Sequence, residues 1–115
     1  MNLKRGDVVL VLFPDSNLRT AKRRPALVVQ ADGVLTGLPQ VLAAMITSNP
    51  SRRGLACRVD VPMGSALSRG SGLRTDSVIM ADNLATILNV HLDRVIGVLP
   101  DMSAVDAALR AILGV

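Results

Sequence analysis

Asp7-Val8-Val9-Leu10-Val11-Leu12-Phe13, DVVLVLF at residues 7–13, is apolar at every position after the first. A short apolar run rich in valine and bounded by a turn signal reads as a buried β-strand. Upstream, Arg5-Gly6-Asp7 reads as a turn entering that strand rather than as an adhesion signal. Downstream, Pro14 to Arg24 is polar and basic, a loop of about a dozen residues, a length often tied to function. Pro25 then starts a second strand, Ala26 to Ala31, where a missing N–H costs no ladder bond. Gln40 to Thr47 (QVLAAMIT) is a third strand, closed by Ser48-Asn49-Pro50.

Beyond the basic turn Ser51 to Gly54, Ala56 to Val61 alternates, with Cys57, Val59 and Val61 on one face. That places Cys57 in the core rather than in chemistry. Pro62 to Asp76 is a long Gly- and Ser-rich loop. Its Gly64 to Gly72 part lacks P-loop spacing and reads as a flexible connection. Ser77 to Ala81 is a strand that Asp82 to Ile87 continues after a kink. Asn89 to Asp93 is a short helical turn carrying His91, a surface or interface residue, and Arg94 to Leu99 is the last strand. Asp101 suits an N-cap, and Met102, Val105, Leu109 and Ile112 form the apolar stripe of a C-terminal helix. The fold class is mainly β with a C-terminal helix: a small, strongly bent antiparallel barrel with the helix packed against it.

The chain has 115 residues, 50% of them hydrophobic, which suits one domain with its own core. Phe13 is the only aromatic residue and is expected inside. His91 is the only histidine and Cys57 the only cysteine, so a two-histidine nuclease site, an intrachain disulfide and a cysteine-rich zinc site are excluded within one chain. All nine acids are Asp, with no pair spaced as a metal cluster. No apolar run approaches the ~20 residues of a membrane span, and MNLKRGD is unlike a signal peptide. A cytoplasmic protein with no membrane association is expected.

The net charge is +4, and eleven of the 13 bases are Arg, the others being Lys4 and Lys22. Residues 1–24 hold six bases and two acids, and residues 50–75 hold five bases against Asp60. A basic first part and an acidic tail suit a polyanion-binding face. If the second and third strands are antiparallel neighbours, Arg24 and Thr47 share one rim of the sheet. An Arg fork and a Thr hydroxyl can together hold a phosphate. Spacing alone leaves the other reading open, in which Arg24 pairs with an Asp and Thr47 closes a turn.

KRGDVVLVLFP (Lys4 to Pro14), KRRPALVVQ (Lys22 to Gln30), MITSN (Met45 to Asn49), TDSVIMADNLATI (Thr75 to Ile87) and VDAALRAILGV (Val105 to Val115) occur in order along the chain. In this order they resemble the MazF/PemK family of toxin endoribonucleases, over nearly the whole of 1–115. The resemblance implies a small SH3-like barrel of the PemK/CcdB type and a homodimer. It implies cleavage of single-stranded RNA at short sequences, with no metal or other cofactor, and inhibition by a cognate antitoxin. It also makes Arg24 and Thr47 the catalytic pair. RNA supplies its own 2′-OH nucleophile, so the products expected are a 2′,3′-cyclic phosphate and a 5′-OH. Arg24 would stabilise charge on the phosphate and Thr47 would orient an oxygen.

RNA binding is assigned to Arg19, Lys22, Arg23, Ser48, Asn49, Arg52, Arg53, Asp82 and Asn83. The pair Asp82-Asn83 stands where the family often has an acidic residue and Gln, and Ala85 where it often has Arg. The same basic groove suits an acidic, partly disordered antitoxin segment. Two other readings are a CcdB-like gyrase inhibitor and an RNA-binding relative without cleavage. The first fits poorly, because that group uses a C-terminal Trp and this chain has none.

Overall fold

The computed structural model describes residues 2–14, 17 and 19–115, with Phe13 and Pro14 described by backbone alone. The expected inward position of Phe13 and the loop residues Asp15, Ser16 and Leu18 thus lie outside the described residues. The elements are β1 (Asp7–Pro14), β2 (Ala21–Val28), β3 (Gln40–Thr47), β4 (Arg58–Val61), β5 (Ser77–Leu88), β6 (Leu92–Val98) and α1 (Ser103–Leu113). Short 3-10 turns occupy Pro50–Arg52, Ala66–Ser68 and Asn89–His91. The strands form one antiparallel sheet in the order β4-β5-β3-β2-β1-β6. Among the described residues no helix is long and apolar enough to cross a membrane.

Side-chain alternation divides the core in two. Val8, Leu27, Ala44, Ile46, Val59 and Ile79 belong to one cluster, which takes in Val105 and Ala108 of the helix. Their chain neighbours Val9, Ala26, Val28, Ala43 and Met45 belong to a second cluster with Val41, Ile87 and Leu92. Successive strand residues point to opposite faces, so DVVLVLF supplies both cores. At the other end of the first cluster, the Arg5-Gly6-Asp7 turn is structural, as expected. Arg5 Nε donates to Val29 O at 3.0 Å and its guanidinium pairs with Asp106 of α1.

Several boundaries differ from those the sequence suggests. The polar segment before Pro25 is partly strand: β1 runs on to Pro14 and β2 begins at Ala21, so Lys22, Arg23 and Arg24 pair with Phe13, Leu12 and Val11. β2 ends at Val28, not Ala31. Pro25 therefore sits inside a strand, and the β2–β3 ladder starts only at Ala26↔Met45. A proline has no N–H to give a neighbour, so the sheet opens on that side. β4 starts at Arg58, leaving Cys57 half-buried in a turn rather than in the core. β6 spans Leu92–Val98 rather than Arg94–Leu99, and the helical turn stops at His91.

The kink in β5 is real but does not end the strand. Ala44 pairs with Leu84 and Met45 with Met80, so residues 81–83 bulge out. In α1 the buried positions are Val105 and Ala108, flanked by Met102 and Leu109, while Ile112 is exposed. Asp101 Oδ1 accepts from Ser103 N at 2.9 Å and from its hydroxyl at 2.7 Å, a capping contact made one residue before the formal cap, Met102.

The barrel is not closed by a ladder, since β4 and β6 do not pair among the described residues. The connection from β4 to β5 fills the gap instead. Val98 N donates to Gly70 O at 2.8 Å, and Ser71 is fully buried. This segment is pinned, which corrects the expectation of a flexible connection.

Candidate functional site

Where β2 and β3 stand apart, up to Pro25 on β2 and beyond Met45 on β3, a cleft of about 920 Å³ opens. β2 contributes Arg23 and Arg24, and the end of β3 contributes Thr47 and Ser48. The β4–β5 connection contributes Gly72 to Thr75, and β6 adds Arg94 to Ile96. Continuing the register Ala26↔Met45 by two residues sets Arg24 across from Thr47. The antiparallel logic drawn from the sequence thus brings this pair to one place.

The charge of the cleft is one-sided. Its charged lining residues are Arg23, Arg24, Arg74 and Arg94. Asp93, just outside, holds Arg23 Nε at 2.9 Å and lies 3.8 Å from Arg94 Nη1. Among the described residues Arg24 and Arg74 have no ion-pair partner. Both guanidiniums are exposed, positioned to meet an anion. Thr47 is half-buried, and its Oγ1 accepts from Asn49 N at 3.2 Å. So Thr47 closes a turn, whereas Arg24 pairs with no Asp among the described residues. A hydroxyl that accepts one bond still has its own hydrogen to donate.

Asn49 does not line the cleft. Its Oδ1 accepts from Ser51 N at 3.0 Å and from Ser51 Oγ at 2.8 Å, which caps the turn Pro50–Arg52. Arg53 lines an adjacent hollow of about 110 Å³ together with Asp60 and Asp76, reached past Ser48 and Ser77, which border both. Arg19, Lys22, Arg52 and Asn83 are exposed and lie outside the cleft lining.

Asp82 is committed elsewhere. Arg58 Nη2 donates to its Oδ2 at 2.8 Å and Nε to Oδ1 at 3.2 Å, while Nη1 reaches Arg52 O at 3.1 Å. One guanidinium therefore ties the β5 bulge to the turn that follows Thr47. The hydrogen bond from Arg58 holds the Asp82 carboxyl below its ordinary value, and the same bond raises the Arg58 value. A carboxyl depressed in the folded state stabilises it above the unfolded pKa of about 3.9 and loses that contribution as pH falls through the folded value. Asp82→Asn is expected to lower stability slightly at neutral pH, with the deficit shrinking below about pH 4. Urea unfolding of both proteins across this range checks it; a deficit undiminished in acid would assign the effect to something other than this pair.

The sequence reading passed over Arg74, Thr75 and Arg94. A signal for the first two existed. β3 and β5 are antiparallel with Thr47↔Val78, so the residues before Ser77 come to the rim that Thr47 occupies. Arg94 is a β6 residue paired with Leu10 of β1, which no local pattern reveals. Among the described residues no three His, Cys, Asp or Glu side chains gather as metal ligands.

Residues 4–113 match the profile of a family described as PemK-like, MazF-like toxin of type II toxin-antitoxin system. A curated relative, Endoribonuclease MazF2 of Mycobacterium bovis (strain ATCC BAA-935 / AF2122/97), is 34% identical over 105 residues, 89% of this chain and 88% of its own length. Among solved structures, Mycobacterium tuberculosis toxin MazF-mt6 superposes with a TM-score of 0.73 at 28% identity, covering 95% of this chain and 97% of that one. An endoribonuclease in complex with its cognate antitoxin, from a mycobacterial species, has the same fold, with a TM-score of 0.74 at 22% identity over 99% and 97% of the two chains.

Proposed function

The chain belongs to the PemK-like, MazF-like toxin family of type II toxin–antitoxin systems, and from that premise we propose that it is a sequence-specific endoribonuclease that cuts single-stranded RNA without a metal. The observation that carries the reading is the placement of Arg24 and Thr47 on one basic cleft, with Arg24 unpaired among the described residues. That the relatives are named endoribonucleases supports cleavage over a CcdB-like action on gyrase.

The reaction needs little beyond positioning. The ribose 2′-oxygen forms a bond to the adjacent phosphorus and the bond to the 5′-oxygen breaks. The proton lost by the 2′-OH is balanced by one gained at the leaving oxygen. Negative charge builds on the phosphate oxygens as this happens. A guanidinium stays protonated, so Arg24 serves as a charge contact and hydrogen-bond donor, neither base nor acid, and water takes the 2′-OH proton and supplies the one gained by the leaving oxygen. Thr47 spends one acceptor site on Asn49 N and directs its O–H to a phosphate oxygen or to the 2′-OH.

The proposal extends to a cytoplasmic homodimer neutralised by an antitoxin. Val90 and Val98, 80% and 51% exposed, leave apolar surface near β6 for a second copy. The positive cleft suits an acidic antitoxin segment as it suits RNA, so the two would compete and both would bind more weakly at high salt.

The purified protein, incubated with a long single-stranded RNA in excess EDTA, is expected to give discrete fragments with 5′-OH and 2′,3′-cyclic phosphate ends. End-labelling by polynucleotide kinase without prior phosphatase treatment detects the 5′-OH. Cleavage only on adding magnesium, or fragments bearing 5′-phosphates, would overturn the mechanism.

A further inference from the structure

We propose that the connection from β4 to β5, residues 62–76, is a second wall of the RNA site, on which Arg74 grips a phosphate flanking the one that is cut. The inference rests on the endoribonuclease reading above and adds a residue that the catalytic pair does not require.

The first argument is room. A cleft of about 920 Å³ lies at the upper end of what encloses a drug-sized ligand, more than one phosphate and its sugar fill. Arg24 and Thr47 stand on the β2 and β3 side of it. Arg74 and Thr75 line it from the β4–β5 connection. A strand of RNA laid through the cleft offers successive phosphates, and a single guanidinium can fork only one of them.

The second argument is charge. Arg74 is exposed and has no ion-pair partner among the described residues. The acid nearest in sequence, Asp76, is occupied: its Oδ1 accepts from Met63 N at 2.7 Å. Arg23 and Arg94, by contrast, share Asp93. Among the described residues of the cleft lining, the cations left for an anion are thus Arg24 on β2 and Arg74 on the β4–β5 connection.

The third argument is rigidity, which distinguishes a binding wall from a solvated loop. Ser71 Oγ donates to Ser68 O at 2.7 Å and accepts from Leu73 N at 3.2 Å, and Ser77 Oγ donates to Thr75 O at 2.9 Å. Gly70 and Gly72 press against β6. A Cβ on Gly72 would stand 2.2 Å from Ile96 O, so only glycine permits the approach. The segment on which Arg74 sits is fixed before any ligand arrives, so less ordering entropy is lost on binding.

The test uses a short single-stranded RNA spanning a cleavage site mapped with the native protein. One copy carries a 2′-deoxy nucleotide at the scissile position, so that it binds without being cut. For Arg74→Gln, KM on the all-ribose RNA is expected to rise about tenfold while kcat stays within about twofold. With the deoxy probe, the slope of log affinity against log salt is expected to fall by roughly 0.7, the loss of one phosphate contact on a single strand. Arg74→Lys is expected to recover most of the slope, and Arg110→Gln, on the helix outside the cleft lining, to match native protein. Native KM and native slope in Arg74→Gln would overturn this inference and leave the nuclease reading intact. A native protein that cuts no RNA in EDTA would take both down together.

Discussion

Replacing Arg24 by alanine is expected to slow RNA cleavage roughly a hundredfold or more, with the fold intact. Arg24 is exposed and unpaired among the described residues, so its removal leaves no buried charge orphaned and costs little stability. Its value lies in the transition state, where charge concentrates on the phosphate in a cleft that Arg23, Arg74 and Arg94 already bias positive. Losing a contact that strengthens only there lowers kcat rather than raising KM. Thr47→Ala is expected to cost less, because it removes a neutral hydrogen bond rather than a charge. It also frees Asn49 N, which Thr47 Oγ1 now accepts, so Thr47→Ser is the informative companion and should retain most activity. Single-turnover cleavage in EDTA, with circular dichroism to establish folding, measures both. Full activity in a folded Arg24→Ala protein would remove the site from this cleft.

The unequal legibility of fold and site has physical causes. DVVLVLF and QVLAAMIT read correctly as strands because both faces of the central strands are buried, and apolar runs then persist without a polar partner face. Lys22-Arg23-Arg24 misled because that end of β2 runs past the core into solvent. Its backbone is satisfied by β1 alone, and polarity there says nothing about pairing. Ile112 fitted the helical stripe but lies in the last turn of α1, beyond the sheet that covers Val105 and Ala108. Arg24 and Thr47 were recoverable because a single antiparallel pairing joins them. Arg74 needed a second pairing and the closure of the barrel by a loop, and Asp82 looked available because its partner Arg58 is 24 residues away.

Gly97→Ala is expected to be strongly destabilising, and to act on the site from behind. Gly97 lies in β6, opposite Val8, and its backbone is not left-handed, so alanine meets no conformational penalty there. The penalty is contact. A Cβ would stand 2.3 Å from Gly70 O, 2.4 Å from Ser71 C and 2.5 Å from Ser71 O. All three atoms are backbone, so no side chain can swing aside. Either β6 leaves β1 or the β4–β5 connection lifts off, and the second is easier because it is held by fewer bonds, Val98 N to Gly70 O among them. Overpacking of this kind costs about 1–3 kcal/mol, which for a chain of this length lowers the melting temperature by roughly 5–15 °C. Gly37→Ala separates contact from conformation: its φ is +75° but nothing lies within 4 Å of an added Cβ, so it carries the left-handed cost alone, about 1 kcal/mol. Urea unfolding of the two variants should therefore rank Gly97→Ala as the more destabilised. Lifting the connection also moves Arg74 away from Arg24, so KM for RNA should rise in Gly97→Ala at temperatures where the protein remains folded, and stay near native in Gly37→Ala. Equal stability and equal KM in the two variants would mean that the connection does not press on β6, and the second wall would lose its support.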